Sequence, residues 1–515
     1  MAEWQRRFWH TMASGYVGMV VRMLLGLVLF RTMFQQFSHA EFGFWTLLWS
    51  LFGYGILLDF GFGFTTQRAT AQKTAIGDIS GLSRLFATVL WTYIGMGVLI
   101  LVLFLSIRLP FMSHMGVLPV DYEKFGQAYV VFFIGLAVLF PLGLFPEILR
   151  GLQRTDIANW VGIFSTILNF GFLFWGLKAH WTFAALMGVS IATTALPNIA
   201  AAILVLRHLP GISFSPRLFE WRSVKAQVAF SLVAYLITFS NMLMSKSDQL
   251  VISLTLGVAL VTIYQAGYKL ADMLGTFSCQ LLQMISPAAA AMHAQGDKYG
   301  LQLLLQRTSR LTFLLVTPAY LLCVVYLRPL ISLVTGMANP SGDVWWIGQA
   351  LLLAAYSSTI SSGSSKGVLI MSGEEKRILV MSLSEAATNV ILSVILVYQF
   401  GVLGVAIGTM IPTILVGWLW VLPLTLKKLD LSFKSYLMYH MKGTWLPLTV
   451  FSLSLAALAV WCPVPDHGNL IALGWRGLLC MVPLLVLGHK VIRDMTSEAP
   501  HQTHDASLED KKRVI

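Results

Sequence analysis

The chain has 515 residues, of which 57% are hydrophobic and only 11% charged, with a formal net charge of +12 and a mean hydropathy of +0.74. A soluble protein carries about a quarter charged residues, so water cannot be the solvent for most of this surface. The apolar runs are continuous over about 20 residues rather than alternating, which excludes a strand barrel and indicates membrane-spanning helices.

The expected fold is all-α and polytopic, with fourteen transmembrane helices at about 13–34, 42–60, 84–107, 125–147, 157–177, 182–206, 227–250, 259–285, 309–333, 345–370, 378–399, 401–425, 445–462 and 470–490. The first run is long enough to stay as a span, so no cleavable signal peptide is expected. Leu446–Val460 carries no charge, which favours fourteen spans over twelve. With the N-terminus inside, most of the 35 Lys and Arg fall in inside loops and tails, Arg6, Arg68, Arg150, Lys298, Lys376 and Lys427 among them. Arg31, Arg108, Lys124, Lys178, Lys246 and Arg328 sit at outside ends, and Arg22, Lys269 and Arg476 lie within spans. This bias obeys the positive-inside rule and places both termini in the cytoplasm. The basic balance therefore reflects topology and anionic headgroups, and no nucleic-acid partner is expected.

Two loops nearly repeat. Ala75-Ile76-Gly77-Asp78-Ile79-Ser80-Gly81-Leu82 returns as Ala294-Gln295-Gly296-Asp297-Lys298-Tyr299-Gly300-Leu301, and the offset from 75 to 294 is 219 residues. Arg150-Gly151 and Ser372-Gly373 form a second echo before apolar helix pairs. The expected organisation is a six-helix lobe over 1–210, a second six-helix lobe over 211–430, an added hairpin over 431–492 and a polar, disordered cytoplasmic tail over 493–515. Repeated halves in a transporter place the substrate between them near the bilayer midplane.

Polar residues inside the spans mark the candidate site. Ser231, Tyr235, Thr238, Asn241, Ser245 and Asp248 follow helical spacing along span seven, and Gln265, Lys269, Asp272, Thr276, Gln280 and Gln283 continue along span eight. Short hydroxyls can bond neighbouring helices. Asp248, Lys269 and Asp272 are costly in hydrocarbon and favour a water-filled lumen, although Lys269 and Asp272 can neutralise each other. Arg22 stands mid-span with Gly15, Gly18 and Gly26 on its face. An arginine there needs either a carboxylate partner, Asp59 or Glu385, or an anionic substrate whose phosphate oxygens suit its fork. Glu385 shares a face with Ser382, Asn389 and Ser393, and a serine-rich run from Tyr356 to Ser365 interrupts span ten. Cys279, Cys323, Cys462 and Cys480 have no metal or disulfide spacing. No phosphate-cradling loop or catalytic constellation is present, so neither an enzyme nor a cofactor is expected.

Leu58-Asp59-Phe60-Gly61 with Arg68-Ala69-Thr70-Ala71, Leu149-Arg150-Gly151-Leu152-Gln153-Arg154, Asp248-Gln249 to Tyr264, Leu369 to Gly373 and Gly401 to Gly408 resemble, in order and spacing, the multidrug/oligosaccharidyl-lipid/polysaccharide exporter superfamily. Within it they resemble the Wzx-type O-antigen and exopolysaccharide flippases. The resemblance implies two lobes facing each other in a V with alternating access, in the bacterial inner membrane. It implies a cargo of undecaprenyl-pyrophosphate-linked oligosaccharide moved to the periplasmic leaflet, with membrane lipids and a polymerase or glycosyltransferase complex as further partners. Arg22 and Lys269 match places where related flippases carry lumen cations. The expected substrate-binding residues are Arg22, Lys269, Asp59, Arg68, Tyr235, Asn241 and Gln265, and the expected ion-coupling residues are Asp248, Asp272 and Glu385. Four alternatives stand: a fourteen-span lipid II-type flippase of MurJ type, a MATE-type cation-coupled drug or metabolite antiporter, a membrane scaffold for polysaccharide assembly, and an enzyme using lipid-linked sugars, which the short outer loops disfavour.

Overall fold

The computed structural model describes residues 2–57, 59–152, 154–283, 285–462 and 470–497. Leu58, Gln153, residues 498–515 and the side chains of Ser231 and Gln283 lie outside what is described. Among the described residues there are helices and connecting turns but no strands, and each of the fourteen expected spans falls on a helix.

The first six spans are α1 (Ala2–Gln36), α2 in two pieces (His39–Leu57 and Phe62–Ala75), α3 (Ile79–Ser106), α4 in two pieces (Tyr122–Leu142 and Leu144–Gly151), α5 (Thr155–Lys178) and α6 (Phe183–His208). The next six are α7 (Trp221–Thr255), α8 in two pieces (Val258–Gln283 and Ile285–Ala294), α9 (Lys298–Val325), α10 (Gly342–Ser358, a π-helical turn at Thr359–Gly363, then Ser364–Met371), α11 (Glu375–Phe400) and α12 (Val402–Val416, a π-helical turn at Gly417–Val421, then Leu422–Lys428). A short helix, Phe433–Met441, meets α13 (Trp445–Trp461) at 60°, and α14 (Leu470–Ser497) follows. By length and composition, eight helical stretches among the described residues can cross a membrane, or nine with the bent pair counted as one. Those falling short include α2 and α10, which are interrupted, and α7 and α8, which carry the polar stripes.

The duplication seen in one loop extends to the whole of both halves. Shifting α3 (Ile79–Ser106) by 219 residues gives the bounds of α9, Lys298–Val325, and both helices have 28 residues. The same shift carries the start of α2, His39, onto Val258 and the start of α6, Phe183, onto Val402. A shift of 220 carries Tyr122 to Gly342, Leu144–Gly151 to Ser364–Met371 and Thr155 to Glu375. Six spans return the chain to its starting side, so the halves have the same orientation and are parallel repeats about an axis along the membrane normal.

The repeated loops close in the same way for a local reason. Gly77 and Gly296 sit at φ +70° and +69°, where a Cβ would be strained. Asp78 and Asp297 then cap the following helices, accepting from the Gly81 and Gly300 amides at 2.8 and 2.7 Å. These caps start α9 at Lys298, eleven residues before the expected start at 309. As a result Arg310 lies well inside a helix, 3% exposed, where it bonds the Lys442 carbonyl and stacks over Tyr439. That contact fastens the elbow before α13. The α13–α14 hairpin packs onto α9 through Leu314, Tyr326, Phe451, Leu455, Leu473 and Cys480.

Between the halves, α2 packs on α7 and α8. A Cβ on Gly43 would run into the Val258 carbonyl oxygen, so glycine sets this approach. The Thr262 hydroxyl donates to His39 O at 2.7 Å, Arg31 Nη1 to Leu333 O at 2.8 Å and the Val258 amide to Met115 O at 2.9 Å. All three lie at the end of the bundle opposite the Gly77–Asp78 and Gly296–Asp297 loops, so the halves are drawn together at that end.

Candidate functional site

Of the expected site residues, Arg22, Asp272 and Asp59 line three separate cavities, so the structure divides the expected site rather than uniting it. The first, about 520 Å³, lies among α1, α2, α5 and α6 and is lined by Arg22, Trp45, Trp49, Thr166, Asn169 and Thr194, among others. Arg22 has no carboxylate partner among the described residues. The two candidates are engaged elsewhere. Asp59 accepts from the Gly63 amide at 3.1 Å and from the Tyr93 hydroxyl, and Glu385 pairs with Lys366 at 3.2 Å. Beside Arg22 the glycines leave room: a Cβ on Gly15 or Gly26 would meet nothing within 4 Å, whereas one on Gly18 would meet Ile163 and the guanidinium.

The second cavity, about 600 Å³, lies among α7, α8, α10 and α12, with Ser245, Tyr268, Asp272, Thr276, Thr359 and Thr409 in its wall. Its shape owes much to the π-helical turns. Each adds a residue to a helical turn and so turns small groups inward. Gly417 packs on Ser361, and Trp418 Nε1 donates to Ser357 Oγ at 2.9 Å, which locks the two turns together. Asp272 is 3.7 Å from the Lys269 ammonium and accepts from Tyr268 at 3.4 Å. Lys269 also lies 5.4 Å from the Phe30 ring of α1, across the interface between the halves.

Thr409 joins this cavity to a buried network. It donates to Asp248 Oδ2 at 2.9 Å and accepts from Asn389 Nδ2 at 2.8 Å, while Asn389 Oδ1 accepts from Ser247 at 3.2 Å. The Tyr264 hydroxyl donates to the same Asp248 oxygen. Asp248 is 3% exposed, and its Oδ1 has no partner. A buried carboxylate with one oxygen left over is costly unless a proton or cation completes it.

The third cavity, about 280 Å³, lies where α2 breaks. It holds Asp59, Tyr93, Glu147 and Arg150. The break itself follows from Phe60 and Gly61 at φ +46° and +80°. Of the remaining expected residues, the Tyr235 ring lies tilted against Phe60 with centroids 5.4 Å apart, Gln265 is buried, and Asn241 and Arg68 are exposed. Sequence reasoning missed Trp45, Trp49, Asn169, Glu147 and Lys366. The repeat could have found Asn169. A shift of 220 maps it onto Asn389, and both amides donate to a hydroxyl one helix on, Ser190 at 3.4 Å and Thr409 at 2.8 Å.

The helices and the cavities between them are those of a multi-pass membrane protein. Residues 161–338 match the family model described as "Polysaccharide biosynthesis protein". The chain is similar to a solved structure titled "Lipid II flippase MurJ, inward closed conformation" at 13% identity and TM-score 0.72, covering 93% of this chain and 99% of that one. It is also similar to an inward-facing multidrug resistance MATE family transporter of the MOP superfamily, at 14% identity and TM-score 0.63, over 80% of this chain and 95% of that one. A MOP superfamily transporter from Pyrococcus furiosus matches at 16% identity and TM-score 0.57, over 83% and 96%. No curated protein matches the chain by sequence at a significant level. The chain shares the fold of these transporters, and the family-model match over residues 161–338 agrees with the expected resemblance to polysaccharide exporters.

Proposed function

We propose that the chain flips a lipid-linked oligosaccharide diphosphate from the cytoplasmic to the periplasmic leaflet of a bacterial inner membrane, for polysaccharide biosynthesis. A sugar-diphosphate headgroup cannot enter hydrocarbon, and a polar groove bearing a fixed cation lowers that barrier. The observation that carries this reading is Arg22, lining a cavity within the bundle with no carboxylate partner among the described residues. A guanidinium is charged at every working pH and is matched by phosphate oxygens. The polysaccharide-biosynthesis match over 161–338 supports the cargo class, and the likeness to a lipid II flippase over 93% of the chain supports movement of a lipid-linked headgroup. Lys269, facing α1, is a second cation for the same headgroup.

Driving force comes from an ion or proton at Asp248, whose spare oxygen and hydroxyl partners suit that role; Asp272 is the secondary candidate. Glu385 is already paired with Lys366, so its coupling role would require Lys366 to move away. The test uses cells in which the chain is the sole supplier of surface glycan. Arg22→Ala is expected to abolish surface glycan at normal membrane abundance, and Arg22→Lys to restore part of it. An abundant Arg22→Ala protein with normal glycan would overturn the phosphate role.

A further inference from the structure

The repeat relates the first cavity to the buried network around Asp248, and the differences between them are informative. Shifted by 219, Trp45 and Trp49 fall on Tyr264 and Tyr268, Leu29 on Asp248, Arg22 on Asn241 and Thr194 on Thr413. Shifted by 220, Asn169 falls on Asn389. The second half thus has an acid held by hydroxyls. The first half has Leu29 at the place of that acid, indoles at the places of the two tyrosines, a cation at the place of Asn241, and no carboxylate in the cavity wall.

The unused hydrogen-bonding capacity of the first cavity specifies a ligand. Neither the Trp45 nor the Trp49 indole N–H meets an acceptor among the described residues, and the Arg22 guanidinium donates to none. Asn169 spends its amide N–H groups on Ser190 and on Thr193 at 2.6 Å, which leaves its carbonyl oxygen to accept. Thr166 and Thr194 donate to backbone carbonyls at 2.8 and 2.7 Å and keep their lone pairs. One cavity therefore offers a planar cation, two indole donors with apolar surface, and an amide and hydroxyls that accept. A phosphate alone could accept from the indole N–H groups but would leave their apolar surface and the Asn169 carbonyl unused. A hexose provides apolar C–H faces for indole and hydroxyls for both donors and acceptors.

We propose that this cavity reads the glycan: the phosphate sits on Arg22 and the first sugar sits against Trp45 and Trp49, with Asn169 accepting from a sugar hydroxyl. The proposal rests on the phosphate reading above and deepens it. The related C-terminal network has Tyr264, Tyr268 and Asp248 where the first half has Trp45, Trp49 and Leu29, so it lacks this combination and the two halves have diverged in charge.

The experiment measures equilibrium binding to the purified full chain in nanodiscs, using two probes: a polyprenyl diphosphate, and the same lipid bearing one hexose. Trp49→Leu and Asn169→Leu are each expected to weaken the hexose-bearing lipid about tenfold, as loss of a buried aromatic or polar anchor does, and to leave the bare diphosphate unchanged. Arg22→Ala is expected to weaken both. Thermal unfolding of each variant reports whether it is folded, and Trp49→Phe, which keeps the apolar ring but loses the N–H, serves if Trp49→Leu does not accumulate. Equal weakening of both probes by Trp49→Leu or Asn169→Leu, or no weakening of either, overturns the sugar site. If only Arg22→Ala is without effect, the phosphate reading fails while the sugar site stands.

Discussion

At the scale of single residues, the most constrained positions lie in the repeated loops. Gly77 and Gly296 adopt left-handed backbone that costs other residues about 1–2 kcal/mol. Gly77→Ala and Gly296→Ala should each lower the unfolding temperature in detergent, and a neutral result for both would contradict the turn. Asp78 sits against the Lys73 ammonium at 2.8 Å and accepts from the Gly81 amide, which together hold its carboxyl down to about 2. A depressed carboxylate stabilises the fold above its unfolded value, and that contribution disappears as pH falls through the folded one. Loop protection measured by amide exchange should therefore persist to about pH 4 and fall towards pH 2, and Asp78→Asn should flatten the profile. Asp248 is the proposed coupling group. Asp248→Asn keeps the size of the side chain but removes the charge, so the protein should accumulate normally while transport in proteoliposomes no longer responds to an ion or proton gradient. Wild-type gradient dependence in that variant would dismiss Asp248 as the coupling group.

At the scale of elements, sequence and structure agree where a physical signal is strong and local. Membrane-length apolar runs located all fourteen helices, and the Gly-Asp loop located the repeat. What was not legible falls into two kinds. Helix starts were misplaced where polar caps extend a helix beyond its apolar stretch, as at Lys298, and this hid Arg310 inside α9. Apolar aromatics such as Trp45 and Trp49 look like lipid-facing or core residues in a sequence, because nothing in their spacing reveals that they border a cavity. The stripe on α7 was read as one lining, yet the structure sends Asp248 into a buried network and leaves Asn241 exposed. Helical periodicity assigns a face but not the neighbour across from it. The packing of α2 on α8 yields a sharp expectation. Gly43→Leu would drive a side chain into the Val258 carbonyl and part the halves at their joined end. Paired cysteines at positions 39 and 262 should cross-link readily in the parent and poorly in the Gly43→Leu background; equal cross-linking would mean that this contact does not set the state.

At the scale of the whole molecule, the equivalence of the two halves extends from α1–α7 to α6–α12, and the proposed function rests on the differences between them. Under that proposal an anionic headgroup binds in the cationic cavity of one half and its driving ion at Asp248 in the other. Rocking of one half against the other then exposes both to alternate faces. The charge bias predicts the orientation, with Gly77, Gly296 and Gly373 in inside loops and Asn339 in an outside one. Single cysteines at positions 373 and 339 should label from opposite sides with an impermeant thiol reagent, and labelling from one side would refute the topology. The central claim is that this chain moves lipid-linked glycan diphosphates, and transbilayer movement in proteoliposomes tests it most directly. With purified wild-type protein and an imposed gradient, a fluorescent lipid-linked oligosaccharide diphosphate should reach the opposite leaflet, where a membrane-impermeant quencher reads it, and Arg22→Ala should abolish the movement. Wild-type vesicles that leave this lipid in place while exchanging an organic cation against the gradient would contradict the claim and establish a drug antiporter instead.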